Sequence, residues 1–206
     1  MTKILKPKAK PVTNPDFDSP EEEWFSWYLE ELVQAGLASR WSRAETYDLS
    51  PPLVGRYLRL KGKGPKAKEV VVEKDILKKH SYTPDFSVWW TEEAYRCGLV
   101  QNVSRSEIKD STPILANPDQ MSVFEVKPFF DRHGKTTWAT CQIKWLYQLQ
   151  GTFVQLVKVG SNKTDGIFSK SFTPAKYLLT RTGKDRKLHH DPITLQEFLK
   201  ASHPEW

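Results

Sequence analysis

The chain has 206 residues, which suits one domain with one core, with room for extensions. Hydrophobic residues make up 38% of it and aromatics 12%, enough apolar surface to exclude a disordered polymer, and no apolar run is long enough to cross a bilayer. The net charge of +6 is compatible with a polyanionic partner without demanding one, and two cysteines, Cys97 and Cys141, are too few for a zinc cluster of their own.

The N-terminus, "MTKILKPKAKPV", lacks the apolar core of a signal peptide, so the expected setting is soluble and cytoplasmic, with no membrane. Residues 1–18 carry Lys3, Lys6, Lys8 and Lys10 among prolines and read as a flexible basic arm, with a solvated tail as the simplest role. The first clear element is a helix over "DSPEEEWFSWYLEELVQAGL". Ser19 is its N-cap, Pro20 takes the first helical position, and Glu22 completes a capping box. Phe25, Tyr28, Leu29, Leu32 and Val33 recur at helical spacing, and Gly36 is the expected stop.

Residues 55–80 read as a hairpin, with "RYLRL" and "EVVVEKDILKK" flanking "KGKGPKAK". The glycine-lysine turn lacks the spacing of a phosphate-binding loop. Its lysines, Lys61, Lys63 and Lys66, are candidates for a nucleic-acid backbone, against the simpler role of a solvated turn. "SYTPDFSVWW" reads as one strand, and residues 91–120 as a polar insertion of undecided structure. "SVFEVKPFF" is a strand stopped by Pro128. A helix from Thr137 to Leu149 follows, with Trp138, Cys141, Trp145 and Leu149 as its apolar face, and Gly151 ends it. "TFVQLVKV" is a further strand. From residue 161 the chain reads as an extension of turns, a basic run and a last helix capped by Thr194 and Glu197. Helix, strands, helix, strand in that order imply an α/β fold around a mixed sheet.

One strand position stands out. Asp85 sits between a proline and residues suited to a buried strand, where a lone carboxylate is costly. Glu125 and Lys127, two apart in "VFEVKP", share one face of their strand, while Phe124 and Val126 take the other. If the two strands are neighbours, two carboxylates and a lysine converge. Such a pair suits a hard divalent cation such as Mg²⁺, and a lysine beside it can orient a water or neutralise a phosphate under attack. The simpler alternative is a surface salt bridge between Glu125 and Lys127, with Asp85 serving the turn after Pro84.

"TPDF" followed by "FEVK" resembles the PD-(D/E)xK nuclease superfamily, and the fuller wording "YTPDF … EVKP" is similar to phage endonuclease I-like resolvases and transposon end-cleaving nucleases. The resemblance covers residues 19–160 and implies a restriction-endonuclease-like mixed sheet flanked by helices. It implies that Asp85 and Glu125 bind Mg²⁺ (or Mn²⁺), that the Val126 carbonyl is a further ligand, and that Lys127 is the catalytic lysine. Glu22 matches the glutamate that related nucleases take from their first helix, although a capping box explains it equally well. Gln142 and Lys144 match polar positions placed near the site in relatives, with an ordinary exposed lysine as the alternative for Lys144. The 40 residues separating Asp85 from Glu125 exceed the usual spacing, the excess being the 91–120 segment.

Under this resemblance the partner is DNA, with a homodimer or a partner recombinase to complete double-strand cutting, in the host cytoplasm if the chain is viral. Lys184, Arg186 and Lys187 would add phosphate contacts. The competing function is a catalytically silent binding or structural module on the same fold. His80 and His133 are undecided loop histidines near the motif, and "HHD" at 189–191 reads as loop punctuation before a proline.

Overall fold

The computed structural model describes residues 14–104, 109, 112–129, 134–160 and 166–202. His133 and the lysines of residues 1–13 lie outside them.

The first helix, α1 (Pro20–Gln34), begins as its sequence dictates. Ser19 is extended, and its hydroxyl accepts the Glu22 N–H at 3.2 Å. At the other end Gly36 takes φ +73°, the left-handed conformation that glycine adopts without strain. The Leu37 N–H reaches Leu32 O at 2.9 Å and the Gly36 N–H reaches Val33 O at 3.0 Å, which closes the helix as a Schellman motif.

The chain then forms strands the sequence reading did not anticipate, β1 (Ala38–Arg43) and β2 (Tyr47–Ser50). A long hairpin follows, β3 (Leu53–Lys61) and β4 (Lys68–Leu77). "SYTPDFSVWW" is not one strand. It divides into β5 (His80–Tyr82) and β6 (Phe86–Trp90), and the two join different sheets. Pro84 has no N–H to give to a ladder, so the chain changes partners there.

The insertion holds a short helix, α2 (Glu92–Arg96), and a parallel pair, β7 (Val100–Asn102) with β8 (Ile114–Ala116). Next come β9 (Met121–Lys127), α3 (Lys135–Gln150) and β10 (Val154–Lys158). Three short helices end the described chain: α4 (Ile167–Lys170), α5 (Ala175–Leu178) and α6 (Leu195–Ser202).

The result is a mixed α/β fold. Its main sheet runs β1-β6-β9-β10, antiparallel except for the parallel β9–β10 pair. One face is covered by α1, where Phe25, Phe86 and Phe124 meet edge to face at 5.2–5.5 Å. Residues 167–177 back α1 from the far side, with Phe172 stacked on Tyr28 at 4.4 Å. The other face carries Val123, Val154, Leu49 and Tyr82 beneath Leu146 of α3.

The buried stripe of α3 is Ala139, Ile143 and Leu146, not the expected face of Trp138, Cys141, Trp145 and Leu149. That face turns outward, with Trp138 58% and Leu149 53% exposed. Both stripes have helical spacing, and the sheet chooses between them. A slim aliphatic stripe lies flat on β9 and β10, where two indoles would hold the helix away.

Candidate active site

The site forms where β5 ends and β6 begins, against the middle of β9. Three contacts hold Asp85. Its N–H donates to Phe124 O at 2.9 Å, its carbonyl accepts the Ala44 N–H at 3.3 Å, and its Oδ2 accepts the Val126 N–H at 2.6 Å. The carboxylate therefore serves the neighbouring strand rather than a turn after Pro84. Phe86 and Val88 anchor β6 in the α1-side core, and alternation sends Asp85 to the opposite side.

Glu125 reaches the same side from β9. It is 6% exposed, a depth at which a carboxylate needs donors. Its Oε2 accepts from the Tyr82 hydroxyl at 2.8 Å, and its Oε1 accepts from Lys127 Nζ. The Glu125–Lys127 pair is thus an internal feature, with side chains 8% and 17% exposed, and not a surface salt bridge. Val126 lies between them with its side chain in the core and its N–H committed to Asp85.

The electrostatics follow from this crowding. Burial, and then the Glu125 charge, push the Asp85 carboxyl up to about 7. The Glu22 charge pushes the same way, while the Val126 N–H and Lys127 oppose the rise. The Tyr82 phenol is raised by burial and by the charges of Glu125 and Asp85, so it stays a proton donor to Glu125. Two oxygen-donor carboxylates whose mutual repulsion is only partly offset by Lys127 and the Val126 N–H fit a hard divalent cation, which would offset the rest. Among the described residues no group of three or more His, Cys, Asp or Glu is arranged around one point, so further ligands would come from backbone, water or substrate.

Glu22 is buried at 5% and serves two structural tasks. Its Oε1 accepts from the Ser19 hydroxyl at 3.0 Å, and its Oε2 accepts from Arg43 Nη1 at 2.8 Å. It is also close enough for its charge to act on Asp85. Sequence reasoning passed over Arg43 and Tyr82. Arg43 had no signal in the sequence, because its strand was not recognised. Tyr82 was hidden for another reason: alternation along a single strand would put it on the face of Phe86 and Val88, and only the division into β5 and β6 lets its hydroxyl reach Glu125.

Gln142 of α3 and His80 of β5 meet each other. Gln142 Nε2 lies 3.5 Å from His80 Nε2, and the His80 ring stacks on Trp145 at 5.4 Å with Trp138 edge-on at 5.8 Å. Lys144 is exposed on α3. Lys61, Lys63 and Lys66 are exposed at the far end of the β3–β4 hairpin and are not brought to the carboxylates. Arg186, expected among the phosphate contacts, is committed elsewhere. Its Nε donates to Tyr177 O at 2.8 Å, and its guanidinium lies over the Tyr177 and Trp24 rings at 4.2 and 4.8 Å. His190 of the "HHD" triplet is hydrogen-bonded to Thr173 Oγ1 at 2.9 Å, as a structural loop residue would be.

No helix among the described residues is long and apolar enough to cross a membrane. No protein-family model matches the chain, and neither a curated protein nor a solved structure shows significant similarity to it.

Proposed function

We propose that the chain is a Mg²⁺-dependent endodeoxyribonuclease with a restriction-endonuclease-like core, acting in DNA processing or recombination of a phage or mobile element. One observation carries the reading. Asp85 and Glu125 arrive from adjacent strands on one side of the sheet, with Lys127 beside them, where burial and the Glu125 charge push the Asp85 carboxyl up to about 7. A purely structural site has little use for that repulsion, whereas a cation site is built on it.

In this reading Asp85 and Glu125 hold Mg²⁺, with the Val126 carbonyl as a further ligand. The ion, when bound, supplies charge stabilisation on the phosphate and acidifies a bound water. Lys127, already held at Glu125, is positioned to orient the attacking water or to offset charge on the phosphate. Tyr82 fixes Glu125 from the other side. Glu22 and Arg43 are the matching pair on the α1 flank. A homodimer or a partner recombinase would deliver the second strand cut.

A specific observation supports a second reading. Every charged group of the cluster already has a protein partner: Asp85 has the Val126 N–H, and Glu125 has Tyr82 and Lys127. A silent, structural network would look the same. Nicking of supercoiled and branched DNA with Mg²⁺ or Mn²⁺ separates the two. Asp85→Ala and Lys127→Ala should each lower the rate by roughly 10²–10³-fold. Equal rates in wild type and variants would leave the silent module standing.

A further inference from the structure

The β3–β4 hairpin is the most exposed part of the described chain. Every residue of both strands is exposed except the half-buried Gly55 and Val70, and neither strand packs extensively on another element. A lone two-stranded ribbon is marginal in water, so its side chains are worth sorting by face.

Antiparallel partners share a face, and faces alternate along each strand. The register pairs Tyr57 with Val72, Arg59 with Val70, and Lys61 with Lys68 on one face, and Gly55 with Lys74 below them. The alternate pairs, Arg56 with Glu73, Leu58 with Val71, Leu60 with Glu69 and Val54 with Asp75, take the other. Side chains agree with this sorting. Arg56 Nε meets Glu73 Oε1 at 2.9 Å on the second face. On the first, Ile76 and Tyr57 lie over Gly55, and a Cβ there would stand 2.7 Å from Ile76 Cδ1.

Charge is segregated by that register. The first face carries Arg59, Lys61, Lys68 and Lys74 and no carboxylate. All three carboxylates of the strands, Glu69, Glu73 and Asp75, are on the second face. Lys61 directly opposite Lys68 is a like-charge cross-strand pair, which costs stability unless an anion lies across it. A ribbon charged only for solubility gains nothing from this arrangement.

The dimensions suit one polyanion. Nine residues of β3 extend about 30 Å, close to one turn of a DNA duplex at about 34 Å. A two-stranded ribbon also fits the major groove, about 12 Å wide. We propose that the ribbon lies in the major groove of duplex DNA with the Arg59, Lys61, Lys68 and Lys74 face toward the phosphates, and the Leu58–Val71 face outward. The choice of DNA as the polyanion rests on the nuclease reading above; the choice of face rests on the register alone.

The test measures binding, not cutting. Anisotropy titrations of a labelled duplex, and of one of its strands alone, are run across a salt series in EDTA, with Asp85→Asn as the parent protein. Arg59→Gln/Lys68→Gln/Lys74→Gln should weaken duplex binding at least ~10-fold at low salt and flatten the log–log salt slope by about 2–3. Leu58→Ser/Leu60→Ser/Val71→Thr should change neither. An unchanged affinity and slope in the basic-face variant overturns the proposal. Equal losses in both variants also overturn it, because ribbon integrity would then matter rather than its charge. So does tighter binding to the single strand than to the duplex, or a change of oligomeric state confined to the Leu58 variant with DNA binding intact in both. Nicking by the wild type is scored separately, so a failure of the nuclease reading stays distinct from a failure of this one.

Discussion

At the centre of the main sheet, Asp85, Glu125 and Lys127 are packed into one half-buried cluster, and each has a named partner. On the β3–β4 ribbon, four cations stand in water on one face without a carboxylate among them. The same residue types are governed by different physics in the two places. In the sheet, desolvation makes each charge depend on its neighbours, and burial, followed by the nearby Glu125 charge, raises the Asp85 carboxyl. On the ribbon, solvent and salt screen each charge, so only the collective sign of a face has consequence. The sheet concentrates its charges at one point, whereas the ribbon spreads its own along an extended face.

The sharpest way to break this comparison is by truncation. Phe124 is fully buried and meets Phe25 at 5.2 Å, so Phe124→Ala should cost about 3–5 kcal/mol in a urea melt. A loss under ~1 kcal/mol would mean that the sheet centre is not the core.

A second measurement probes the raised carboxyl in metal-free buffer. The folded protein holds the Asp85 proton more tightly than the unfolded chain does, with the carboxyl at about 7 against 3.8. Stability from this group is therefore full below about pH 4, falls as pH rises from about 4 to about 7, and is level above that. Asp85→Asn removes the titration while keeping an oxygen for the Val126 N–H. It should match wild type near pH 4 and melt higher than wild type at pH 8. Mg²⁺ should raise the wild-type midpoint at pH 8 and leave that of the variant unmoved. Parallel stability curves for the two proteins from pH 4 to pH 8 would sink the account of Asp85.

The smallest effect belongs to the ribbon. Leu58 is 70% exposed, so Leu58→Ala should shift stability by no more than about 0.5 kcal/mol. A loss of 2 kcal/mol or more, on the scale of ~2–5 for a buried leucine, would show that the ribbon is covered in solution.

Much of the local structure was legible because it depends on near neighbours in the chain. The box of Ser19, Pro20 and Glu22 starts α1 and Gly36 ends it, and each acts within four residues of its target. Glu125 and Lys127 share a face because a strand alternates, whatever surrounds it. What was illegible depends on distant partners. β1 and β2 carry weak strand patterns, "ASRWSR" and "YDLS", and become strands only because β6 and β5 offer them ladders. The α3 stripe was misjudged because two stripes of equal periodicity competed.

The linear order of residues was enough to determine where helices start and which side chains share a strand face, and to single out Asp85, Glu125 and Lys127 as candidates. Only the tertiary structure decided that Pro84 parts two sheets, that Tyr82 and Val126 take up the carboxylates, and that the tryptophans of α3 face solvent. It also decided which ribbon face carries the cations. Register is a relation between two strands: a slip of one residue would carry every side chain of one strand to the opposite face, and no single strand contains that information.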